Sequence, residues 1–244
     1  MKGGVRSTRK WRKMKIIRWV ILVLVVGAFF GIVFSNLNNT NHSDAVWSQA
    51  ATVGKMDAKN YYVFYTDLAC PYCSAFSLAI YEHKDEFERD YINGKDILYE
   101  VRVTDFLYEY GEHAPEMSRN SAEAVYCATN ENRFWDYYYA ALKSLEENYF
   151  SKGVGVSKTA PMITDMDAEY WLRVGKQIGL SDEFESCYTE HKMLDKVEEN
   201  TAKAAKQVQG GLPYFKFGKF STGGFDTNWG WDYVKKYLDA GLQS

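Results

Sequence analysis

The chain is 244 residues long with a formal net charge of −3, and that charge is unevenly placed. The first 18 residues carry eight of the 29 Lys and Arg, and all 32 Asp and Glu lie beyond residue 34, where they outweigh the remaining cations by 11. An acidic body of that kind excludes nucleic acid and anionic lipid headgroups as its partners, since both would repel it.

In chain order, a basic segment, 1–15, leads into an apolar stretch, 16–34, in which Val20 to Phe34 carries no charge. About 17–25 apolar residues suffice to cross a bilayer. Cations on one flank alone orient the N-terminus to the cytoplasm. Phe34-Ser35-Asn36-Leu37-Asn38 lacks the small-residue pattern of a cleavage site, so the stretch reads as an uncleaved signal-anchor rather than a removed signal peptide. This single-pass reading puts everything after residue 34, including all four cysteines, outside the cell membrane. Disulfide chemistry is the default for thiols there. Residues 35–58, with Asn36, Asn38, Asn39 and Asn41, read as a polar tether.

From 59 to 244 the pattern is that of one domain. Tyr61–Thr66 is a β-branched and aromatic run and predicts a strand. Residues 71–92 predict a helix with Cys73, Phe76, Ile80, Phe87 and Tyr91 on one face, stopped by Asn93-Gly94. Ile97–Thr104 alternates as a second strand. Helical periodicity then runs for about a hundred residues, through Ser121–Ala128, the Trp135/Tyr138/Leu142/Leu145 stripe, Asp167–Ile178, Asp182–Tyr188 and 191–208. A strand, Pro213–Phe217, the turn Gly223-Gly224 and a final helix at about 229–240 complete the order. A split α/β unit with an all-helical insertion at about 106–208 explains it with one domain.

The chemistry concentrates in Asp67-Leu68-Ala69-Cys70-Pro71-Tyr72-Cys73, where strand gives way to helix. Pro71 fits the first helical turn, which has no use for its missing N–H. Cys70 then sits where unpaired N–H groups and the helix dipole favour an anion. The thiolate is the anion that attacks disulfides. Cys73, one turn in and on the apolar face, is the shielded thiol that closes the ring. A zinc site needs four ligands, commonly in close pairs; Cys127 and Cys187 lie sixty residues apart and no histidine pairs with either. A purely structural Cys70–Cys73 link accounts for neither the proline nor the placement. His42, His83, His113 and His191 stand alone in the sequence and read as solvated.

The motif Asp67 to Cys73, Ala124-Val125-Tyr126-Cys127-Ala128 with Arg133-Phe134-Trp135-Asp136-Tyr137, and Gly211-Leu212-Pro213-Tyr214-Phe215 together resemble the DsbA-like thiol–disulfide oxidoreductases of the membrane-anchored bacterial type. The resemblance implies a thioredoxin-like fold with a helical insertion, preceded here by one transmembrane helix. It implies Cys70 as nucleophile, Cys73 as resolving thiol, and Pro71 and Tyr72 as the rest of the active-site motif. Pro213 becomes a cis-proline beside the thiols, with Leu212 presenting its backbone to an unfolded client. Cys127 and Cys187, otherwise two buried free thiols, become a second, structural disulfide. No metal or cofactor is implied. The implied partners are unfolded exported proteins and a quinone-linked membrane protein, DsbB- or VKOR-like, that reoxidises the pair. Phe64 stands where relatives often carry an acid, while Asp67 matches. Tyr72 replaces the histidine of the strongest oxidants, which implies a milder oxidant. Two alternatives stay open: a reductase or isomerase of the same fold, and a tethered client-binding module whose thiols are incidental.

Overall fold

The computed structural model describes residues 21, 41–111, 115–156, 160–161, 163, 166–218, 220–223 and 230–243. A compact unit begins at His42. The expected membrane span, 16–34, lies outside the described residues apart from Ile21, and among the described residues no helix is long and apolar enough to cross a membrane.

Five strands form one mixed sheet: β1 (Thr52–Val53), β2 (Asn60–Thr66), β3 (Ile97–Val103), β4 (Tyr214–Phe217) and β5 (Phe220–Gly223), in the order β1-β3-β2-β4-β5. β2 and β3 run parallel, with Tyr62 opposite Tyr99 and Phe64 opposite Val101, and every other pair is antiparallel. A parallel pair requires a crossover. Helix α1 (Pro71–Glu82), the short α2 (Lys84–Phe87) and a wide turn through Asn93 supply it. Alternation along β2 gives each face of the sheet its own core. Tyr62 stacks on Phe217 and Phe64 on Phe215, Phe76 of α1 packs tilted against Phe64, and Val63 and Tyr65 face Tyr214 and Ala204 on the other side.

Between β3 and β4 lies the helical insertion. It comprises α3 (Phe106–Tyr110), α4 (Glu116–Cys127), α5 (Phe134–Asn148), α6 (Ala168–Gln177), α7 (Asp182–Thr189) and α8 (Leu194–Ala205). α9 (Trp231–Leu242) closes the fold against β4, with Tyr62 donating to the Leu238 carbonyl at 2.9 Å. The helix expected over 71–92 breaks at His83, whose φ of −112° and ψ of 28° leave the helical region; its ring stacks on Trp231 of α9 at 5.2 Å. Phe87 and Tyr91 are buried all the same, so the apolar face persists across the break.

The tether expected over 35–58 is shorter than its composition suggests. From His42 the chain is docked on the sheet. Glu100 and Arg102 are buried neighbours on one face of β3, 2.8 Å apart, and buried charges need further hydrogen bonds to be tolerated. Backbone N–H groups of Trp47 and Ser48 donate to Glu100, and Arg102 donates to the Ala45 carbonyl and stacks over the Trp47 ring at 4.1 Å. The arm is held by charges that belong to β3. The histidines also have partners: His42 bonds Ala58 O at 2.9 Å and His191 lies 2.9 Å from Glu123, while His113 falls outside the described residues.

Candidate active site

β2 delivers Thr66 and Asp67 to the end of the sheet, and a tight turn, Cys70 N–H to Asp67 O at 3.0 Å, swings the chain into α1. Cys70 is the N-cap of that helix and Pro71 its first residue. The Cys70 sulfur accepts the Cys73 N–H at 3.3 Å, so an otherwise orphaned helix donor points at it. Both thiols are free. Cys70 is 4 % exposed and Cys73 0 %, so of the two residues only Cys70 reaches the surface. Burial, the bond to Cys70 and the proximity of that sulfur hold the Cys73 thiol well above its ordinary range, eased only in part by the Asp67 N–H.

The opposite wall comes from the far end of the domain. Gly210 and Gly211, with φ of 83° and 111°, turn the chain out of α8 through a conformation few other residues adopt. The following Leu212–Pro213 bond is cis. It lays the Leu212 carbonyl 3.8 Å from the Cys70 sulfur, within reach of a thiol hydrogen bond. Tyr72 is half-buried and packs against the core beside the motif. Cys127 and Cys187 are joined, 60 residues apart, and tie α4 to α7 within the insertion. Glu123, one turn before Cys127 in α4, and His191, just past the end of α7, pair beside that link.

Phe64, where relatives often carry an acid, is fully enclosed between Phe76 and Phe215. Asp67 is the buried acid of this site instead. One oxygen accepts Ala69 N–H at 2.8 Å, and the other accepts Leu107 N–H at 2.8 Å and the Ser118 hydroxyl at 2.6 Å. Burial outweighs those donors, and with the nearby Asp105 charge it pushes the carboxyl up to about 6. Asp67 thereby fastens α3 and α4 to the thiol loop while its own backbone N–H faces Cys73.

Sequence reasoning missed what the insertion contributes. Tyr138 of α5 is buried behind α1 and shares a 2.7 Å hydrogen bond with Ser77, which donates to the Cys73 carbonyl at 3.0 Å. The Ser74 hydroxyl is buried nearby without a hydrogen-bond partner. In sequence, Tyr138 falls on the Trp135/Tyr138/Leu142/Leu145 stripe, which marks it as core, but nothing local ties it to the thiols 65 residues away.

The described geometry fits several known proteins. A thioredoxin-like oxidoreductase from Silicibacter pomeroyi superposes with a TM-score of 0.56 at 15 % identity, covering 83 % of this chain and 98 % of its own. The thiol-disulfide exchange protein alpha-DsbA2 from Wolbachia pipientis gives 0.53 at 17 %, over 85 % and 97 %. Oxidised BdbD from Bacillus subtilis gives 0.55 at 17 %, over 80 % and 93 %. No curated protein matches the chain. A thioredoxin family model, Thioredoxin_4, matches residues 48–215, which include both thiols, the whole insertion and Pro213. The chain therefore belongs to the thioredoxin family, with the fold of the DsbA-like thiol–disulfide oxidoreductases.

Proposed function

We propose that the protein is an extracytoplasmic, membrane-anchored oxidoreductase that introduces disulfides into exported proteins through Cys70 and Cys73. The observation that carries this reading is the asymmetry of the pair: a reachable sulfur at a helix N-terminus above a buried one with a raised affinity for its proton. In the oxidised enzyme, a client thiolate attacks Cys70 Sγ. The Cys70–Cys73 bond breaks, and Cys73 leaves with the electron pair and takes up a proton. A second client thiolate then attacks the client sulfur of the mixed disulfide, forming the client disulfide and releasing Cys70 as thiolate. Two electrons have passed from client to enzyme. A quinone-linked membrane partner, DsbB- or VKOR-like, removes them and restores the Cys70–Cys73 bond. The Leu212 backbone at the cis bond offers an extended client a strand-like pairing edge next to Cys70.

The test uses the full chain in detergent with a reduced, unfolded client. Cys73→Ser, with Cys70 first converted to its thionitrobenzoate disulfide and offered a single-thiol client, should release thionitrobenzoate and accumulate the Cys70–client mixed disulfide, and Cys70→Ser should abolish client oxidation. Client oxidation unchanged in Cys70→Ser would refute the reading, and a biological activity that survives in Cys70→Ser without client oxidation would leave a client-binding module with incidental thiols.

A further inference from the structure

At the far end of α1 from the thiols lies a cleft of about 670 Å³, between α1–α2, α5 and the β1 edge of the sheet. Tyr81 is eleven residues past Cys70, so at ~1.5 Å per residue the cleft sits about 16 Å from it. Its volume is that of a small-molecule site, for which ~300–1,000 Å³ is usual. Its walls are aromatic. Tyr81 and Tyr139 lie with ring centres 4.6 Å apart, and Trp135 stacks on Tyr139 at 5.7 Å.

The polar groups at this cleft are unspent. Among the described residues, the hydroxyls of Tyr81, Tyr99 and Tyr139 make no hydrogen bond, although Tyr99 is only 2 % exposed. Lys84 and Arg133 are neutralised by Glu88 and Asp136, which line the same cleft. Lys143 is the cation left over: its Nζ sits 4.0 Å above the centre of the Tyr81 ring, and no carboxylate of the described residues pairs with it. A cleft with aromatic walls, phenol donors and one unpaired ammonium complements a flat ring bearing a negative charge. Ring faces favour a planar guest. The phenols and the ammonium supply donors to an anionic acceptor, and charge-assisted bonds are the stronger ones.

We propose that this cleft binds a planar aromatic carboxylate, with Lys143 and the Tyr99 hydroxyl on the carboxylate and Tyr81, Tyr139 and Trp135 against the ring. The site is separate from the thiols, and its occupancy does not depend on disulfide exchange.

The probe is 2-naphthoate, titrated by calorimetry into the full chain in detergent. Uncharged 2-naphthalenemethanol and cationic 2-naphthylmethylammonium serve as comparators. The expected result is one saturable site for naphthoate and at least tenfold weaker binding of both comparators. Lys143→Gln, a change at an exposed position, should weaken naphthoate at least tenfold and leave the uncharged alcohol unaffected. Tyr99→Phe, which removes one oxygen, should also weaken naphthoate. Three outcomes would overturn the proposal: no saturable binding, equal binding of the three probes, or unchanged naphthoate binding by both variants.

Discussion

At the scale of single residues, the two thiols differ because one caps a helix and the other lies inside it. Cys73 is fully buried, and its proton is held well above the ordinary range. In the reduced protein, iodoacetamide should therefore label Cys70 first, with Cys73 protected until strongly alkaline pH, as read by mass spectrometry. Equal labelling of the two at every pH would contradict the assignment of roles. Asp67 makes a second prediction. Its folded carboxyl titrates at about 6 against a usual 3.8. A raised folded value means that its contribution is full below pH 4 and is lost as pH rises through 6. At 1.36 kcal/mol per unit the change is about 3 kcal/mol. Asp67→Asn cannot ionise, so its stability relative to wild type should rise by about 2 kcal/mol between pH 4 and pH 7. A pH-independent difference in urea denaturation would refute this. The thiols were legible in the sequence because a proline in a CxxC at a strand-to-helix junction is a local signal. The partners of Asp67 were not, since Leu107 and Ser118 are 40 and 51 residues away.

At the scale of elements, the insertion and the N-terminal arm are both fixed by contacts remote in sequence. The Cys127–Cys187 link closes 60 residues, worth about 4 kcal/mol in the chain-entropy account. Replacing both cysteines by alanine should lower unfolding free energy by about that much and leave Cys70–Cys73 exchange intact. A loss under 1 kcal/mol, or a collapse of exchange in a folded variant, would contradict the purely structural role. Arg102 pins the arm through Ala45 and Trp47. Arg102→Met leaves Glu100 buried without its cation, and broken buried pairs cost roughly 3–5 kcal/mol. Denaturation should show that loss, and limited proteolysis should cut between residues 42 and 53. Helix faces were readable from periodicity, and the residues of the 71–92 stripe are buried despite the break at His83. β1 was not readable: it closes a stretch that opens on Asn36, Asn38, Asn39 and Asn41, and two residues of pairing to β3 leave no pattern. β5 was hidden by its glycine.

At the scale of the whole molecule, the order strand, helix, strand, helical block, strand, helix already implied one domain with an inserted block, because only the outer pieces alternate in the β–α manner. The family match and the sheet order agree with that reading. Direction of electron flow is a property of the whole site, set by how the fold stabilises the dithiol relative to the disulfide. The helix cap on Cys70 favours the reduced form, and stabilising the reduced form makes an oxidant. The direct test is a glutathione redox titration of the full chain in detergent, following Cys70 and Cys73 by alkylation and mass. A donor of disulfides to exported proteins predicts a reduction potential close to −120 mV, or somewhat below it given Tyr72; a value near −270 mV, that of a reductant, would contradict the account.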